Sequence, residues 1–94
     1  MTTPHIFIQQ HDSGLYEWHA LYHQEEIDSE AGDTSITGCL ISALGAIPEN
    51  EKLAEITYDG IHMGTFPKTQ IEKYTEGVSA RIVTMHFELI QHLG

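Results

Sequence analysis

The apolar and polar positions fall into patterned stretches separated by turn and loop signals. Ile6-Phe7-Ile8 followed by Gln9-Gln10 reads as a first strand, and Asp12-Ser13-Gly14 as a turn. In residues 15–23, Tyr16, Trp18, Ala20 and Tyr22 alternate with Glu17, His19 and His23. A period of two marks a half-buried strand, and the short turn and aromatic content predict a hairpin. A helix is the competing reading, because Leu15, Trp18, His19 and Tyr22 also fit helical spacing. Residues 25–33 carry no apolar period and read as a polar, acidic loop around Ala31-Gly32.

Asp33 or Thr34 is then the expected cap of a helix, since a short side-chain oxygen there accepts an orphan backbone N–H. That helix places Ile36, Leu40, Ala43, Leu44 and Ile47 on one face and stops at Pro48. Gly38 and Gly45 either weaken it or permit close packing. Leu53 to Phe66 predicts a second hairpin about Asp59-Gly60, because a type I′ turn needs positive φ at both central positions. The expected pairs are Tyr58 with Ile61, Ile56 with Met63 and Ala54 with Thr65. From Pro67 onward Ile71, Tyr74, Val78, Ile82, Met85 and Leu89 recur at threes and fours, the spacing of a helix that Gly77 kinks or divides. Val83, Phe87 and Ile90 widen its apolar stripe, which implies deep burial or a homodimer through the C-terminal helix. The fold expected is α+β: an antiparallel sheet of about four strands with two helices packed on one face.

Ninety-four residues make one domain, 1–94, with a small core. The lone Cys39 rules out an internal disulfide and fits a reducing compartment. No signal-peptide pattern opens the chain, and the longest apolar-leaning stretch, 39–47, is too short to span a bilayer. These features lead to the expectation of a soluble, cytoplasmic protein with no membrane contact.

Charge changes the picture most. No lysine or arginine occurs between Met1 and Glu51, where nine carboxylates stand: Asp12, Glu17, Glu25, Glu26, Asp28, Glu30, Asp33, Glu49 and Glu51. Lys52, Lys68, Lys73 and Arg81 all lie beyond, nearly balanced by five acids, so the net charge of −10 divides into −9 and −1. Such a field excludes an ordinary nucleic-acid-binding surface and points to a cationic partner. Carboxylates on alternate residues of an extended segment repeat at about 6.6 Å and can imitate a row of phosphates. Acidity also keeps a small protein in solution, which is the plainer account.

Reaction chemistry is weakly represented. His19 and His23 share a face at either helical or strand spacing, so a metal-dependent hydrolase is the enzyme alternative; Ala20 breaks the metalloprotease pattern, and two further ligands are not marked by spacing. Asp28, Glu30, Gly32 and Asp33 depart from a calcium loop, with glycine at a ligand position and Cys39 where a bidentate acid belongs. Cys39 reads as a buried, inert thiol. No cofactor motif appears. The seven histidines could cancel much of the acidic field near pH 6.

Two segments resemble the HicB-type antitoxin domain, over residues 6–46. The run Ile6 to Tyr16 is similar to that family's strand, acidic-Gly turn and strand, and Gly32-Asp33-Thr34 leading to Ser42-Ala43-Leu44 is similar to its helix start. The family's Pro-Gly-Cys segment and the acids after Gly-Asp-Thr are missing. The resemblance implies a partial RNase H-like sheet with packed helices and a role in neutralising a toxin. Taken together, the sequence suggests a non-catalytic acidic inhibitor of a basic, nucleic-acid-handling protein. It is of the kind carried by phages and mobile elements, such as anti-CRISPR or anti-restriction proteins. Glu25, Glu26, Asp28, Glu30 and Asp33 would make the contact, with Glu17, Glu49 and Glu51 alongside. A HicB-like antitoxin is the alternative.

Overall fold

Alternation of apolar and polar residues shapes the first two strands as expected. The computed structural model describes residues 3–93. In β1 (His5–Asp12) Ile6 and Ile8 are buried, and in β2 (Leu15–Tyr22) Trp18 and Ala20 are buried opposite them. The two strands pair antiparallel, with Ile8 facing Trp18 and Ile6 facing Ala20. Gly14 closes the turn at φ 69°, a conformation that other side chains adopt at a cost.

The expected acidic loop is instead a strand, β3 (Glu25–Asp33), paired antiparallel to β2 along its length. His23 and Gln24 join them with φ of 53° and 66°, the two positive values a type I′ turn requires. The apolar period is missing for a physical reason. All of β3 except Asp33 is exposed, so its strand state rests on backbone pairing with β2 and not on burial of alternate side chains.

Helix α1 (Ile36–Ala46) buries Ile36, Cys39, Leu40 and Ala43 at threes and fours. Its cap is Ser35, one residue beyond Thr34 and two beyond Asp33, the expected caps: the Ser35 hydroxyl accepts from the Gly38 N–H at 2.9 Å. The crossover through α1 returns the chain as β4 (Leu53–Tyr58), which lies parallel to β1 with Ile6 beside Ile56. The sheet is therefore mixed, because a crossover delivers the next strand in the same direction where a tight hairpin would reverse it. β5 (Ile61–Pro67) completes five strands in the order β3-β2-β1-β4-β5.

The second hairpin turns at Asp59-Gly60 as expected, but its register slips. Tyr58 pairs with Ile61 and Thr57 with His62, after which Ile56 pairs with Gly64 and Ala54 with Phe66. Met63 is the extra residue of a bulge, and Gly64 takes φ 118° next to it. The slip turns both Met63 and Phe66 into the core, which strict alternation would not allow.

The C-terminal helical region comprises α2 (Lys68–Lys73) and α3 (Thr75–Leu93), so the described residues form three helices. The division falls at Tyr74, not at Gly77, which is inside α3. The Thr75 hydroxyl closes the break by donating to the Ile71 carbonyl at 2.6 Å. Ile71, Val78 and Ile82 join Ile6, Ile8, Trp18, Leu40 and Ile56 in one buried cluster, which places the helices on one face of the sheet. Among the described residues no helix lies on the other face. No helix among the described residues is long and apolar enough to cross a membrane.

Candidate functional site

β3 is an edge strand, so one side of its backbone is unpaired while its side chains project to both faces of the sheet. Register sorts its acids. Glu25 stands opposite Tyr22, Asp28 opposite Ala20, Glu30 opposite Trp18 and Asp33 opposite Tyr16, all on the side where the helices pack. Glu26 stands opposite Leu21 and faces the uncovered side. Asp28 and Glu30 are two residues apart, about 6.6 Å at the usual rise of a strand. Among the described residues no lysine or arginine forms an ion pair with any of them; every close carboxylate pairing is with a histidine.

Asp33 differs from the others. It is half-buried at the start of α1, with its Oδ1 close to Gly38, and its Oδ2 is buried without a hydrogen-bond partner. Burial, with the nearby charges of Asp33 and Glu30, pushes the Cys39 thiol up to about 12. Cys39 is thus a neutral, enclosed thiol.

The two carboxylates beyond α1, Glu49 and Glu51, stay close together. Glu51 is drawn to the end of β2, where the Tyr22 hydroxyl donates to its Oε1. Tyr22 is the residue opposite Glu25, so Glu51 and the start of the acidic edge meet on the helix side of the sheet. The bond, with burial and the carboxylate charge, holds the Tyr22 phenol above its ordinary value. Glu49 is exposed, and it and Glu51 line one shallow groove with Lys52, Lys68 and Glu72, so positive charge lies near both.

Glu17 points the opposite way, to the uncovered face, where a histidine–carboxylate network has formed. The His19 Nε2 lies 2.9 Å from Glu17 Oε1, and its Nδ1 bonds Glu26 across to β3. His11 approaches Glu17 at 3.4 Å, and His62 approaches Glu55 at 3.4 Å. His5 bonds the Thr57 hydroxyl at 2.6 Å and stacks on Phe7. Hydrogen bonds to Glu17 and then Glu26 hold His19 above its ordinary value, and the bond from His19 holds Glu17 below its own. Burial lowers His5, partly offset by Glu55. The hairpin pattern of the sequence already sets Glu55 and His62 on one face, whereas His5 carries no signal beyond its alternate place on β1. Next to this network lies a depression of about 450 Å³ lined by Phe7, His19, Leu21, Glu26, Thr57 and Gly60.

His19 and His23 do not converge. His19 is held by two carboxylates, whereas His23 sits in the β2–β3 turn with its ring against Tyr22 at 4.1 Å. No group of three or more His, Cys, Asp or Glu side chains among the described residues is arranged to hold a metal ion. The open strand edge offers charge and hydrogen bonding.

No protein-family model matches the chain, and neither a curated protein nor a solved structure is significantly similar to it.

Proposed function

We propose that this protein is a non-catalytic binder that inhibits a basic, nucleic-acid-handling partner by occupying its nucleic-acid site with the β3 edge. The observation that carries this reading is the exposed row of Glu25, Asp28 and Glu30 on a free strand edge, with Glu26 on the opposite face bonded to His19 and no lysine or arginine paired to any of the four among the described residues. Glu51 extends the row through Tyr22. An uncompensated line of carboxylates attracts a cationic groove, speeds encounter and rejects nucleic acid itself. The unpaired backbone of the edge offers a second means of attachment, because a partner strand can add to it.

The test is a pull-down from the source cell at low and high salt, followed by affinity measurement with a Glu25→Lys/Glu26→Lys/Asp28→Lys variant. All three positions are exposed and Glu26 gives up only its bond to His19, so the fold should persist, as circular dichroism checks. Association should slow by about 10- to 1000-fold in the variant and as salt is raised. Unchanged binding by the variant would sink the proposal and leave acidity as a solubility device.

A second reading, an antitoxin that neutralises a toxin, is supported by the placement of the residues that resemble HicB-type domains. They form the β1–β2 hairpin with its Gly14 turn and the passage from Gly32 into α1. Under that reading a toxin gene lies beside this one, and co-expression restores growth.

A further inference from the structure

The structure leaves a second apolar stripe on α3, on the side away from the core. Val78 and Ile82 are buried and Met85 packs against the core. At 100° per residue, Ala80, Val83, Phe87 and Ile90 fall on the opposite side of the same helix. They are exposed: Val83 by 50%, Phe87 by 60% and Ile90 by 48%, with Ala80 also open. Their spacing of three, four and three is the seam by which one helix packs along another.

The geometry points to a second copy of this chain as the occupant, its α3 running antiparallel across a two-fold axis near Met85. In that arrangement Ala80 meets Ile90 of the second copy and Val83 meets Phe87. Each layer then sets a small side chain against a large one, and the two-fold repeats it. A parallel pairing would set Phe87 on Phe87 and Ala80 on Ala80, which leaves one layer crowded and another empty.

Charge selects the same face. The molecule carries −10, yet the seam itself, residues 80–90, holds only Arg81 and Glu88, which cancel; Glu76, one turn before Ala80, is the further charged residue of α3. The positions flanking the seam toward solvent are Thr84 and Gln91, both uncharged. Two copies of so acidic a protein repel least where each is neutral. α3 packs against α1 and β5, whereas β3 lies at the other edge of the sheet. Pairing through α3 therefore leaves both acidic edges open, and this inference stands whether or not the acidic-edge reading does.

Sedimentation equilibrium of the full chain from micromolar to near-millimolar concentration should show the mass rising from 10.6 kDa toward twice that value. Phe87→Glu should weaken association by roughly tenfold or more, equal to about 1.4 kcal/mol. Its circular dichroism should stay unchanged because Phe87 is exposed. Orientation is read by cross-linking. Thr84→Cys lies near the axis and should form an intermolecular disulfide, whereas Gln91→Cys places its two sulfurs about 18 Å apart along the axis and should not. A monomer at all concentrations, an unaltered dimer in Phe87→Glu, or equal cross-linking at both positions would overturn the proposal.

Discussion

The hydroxyl of Tyr22 donates to the carboxylate of Glu51, 29 residues further along the chain. One bond therefore fastens the loop after α1 to the end of β2, opposite the first acid of the edge strand. The phenol must keep its proton to donate. Its ionisation is held above the ordinary value of 10, so the bond's contribution is full below pH 10 and fades as pH rises through the elevated value. Tyr22→Phe should remove that alkaline decline, seen by comparing denaturation midpoints of the two proteins between neutral and strongly alkaline pH.

His19 and Glu17 are linked in the opposite pH direction to each other. Glu17 is held below 4.5, so its contribution is present above that pH and is lost on acidification through the lowered value. His19 is held above 6.5, so its contribution is complete below 6.5 and disappears as pH rises through the elevated value. The pair should support the fold most between these limits. His19→Gln should flatten that maximum in a series of urea titrations across pH.

Two glycine substitutions should move stability in opposite directions. Gly45 lies in α1 with open space where a Cβ would go, so Gly45→Ala should stabilise by roughly 0.5–1 kcal/mol. Gly60 also has room, but its φ of 82° disfavours any side chain, and Gly60→Ala should cost roughly 1–2 kcal/mol. Thermal melts of the two variants check the sign of each.

Ile56 is fully buried on a central strand, between β1 and β5. Ile56→Ala should destabilise by about 2–5 kcal/mol through lost burial and a residual cavity. Ile41, on the exposed side of α1, should tolerate alanine to within about 0.5 kcal/mol. Chemical denaturation of both variants measures the difference.

Cys39 should resist thiol reagents in the native protein. Its thiol is fully buried and pushed up to about 12, so almost no thiolate exists near neutral pH. The labelling rate should rise steeply with added denaturant, following the opening of α1. Fast labelling without denaturant would refute the placement of the side chain.

What the sequence makes legible follows burial. Ile6, Ile8, Trp18 and Ala20 announce two strands, and Ile36, Leu40 and Ala43 a helix, because each set has one face in the core. β3 escaped notice for the same reason: an edge strand with both faces exposed leaves no apolar period to read. The parallel seat of β4 beside β1 was equally hidden, since hairpin signals are local and a crossover partner is not. The Met63 bulge is visible only after the fact, in the three-residue step to Phe66. As for the site, the acids could be counted but not sorted. Glu17 and Glu26 went to the histidine face, Glu25, Asp28 and Glu30 to the other, and Glu49 and Glu51 to a groove with Lys52 and Lys68.

An edge strand ordinarily invites its own twin, since two identical free edges can zip together into growing sheets. β3 carries carboxylates at five of its nine positions, so a second β3 laid alongside would bring like charge against like charge. A strand bearing lysine or arginine meets no such resistance. The same backbone that would template aggregation in a neutral chain becomes an edge that turns away its own kind.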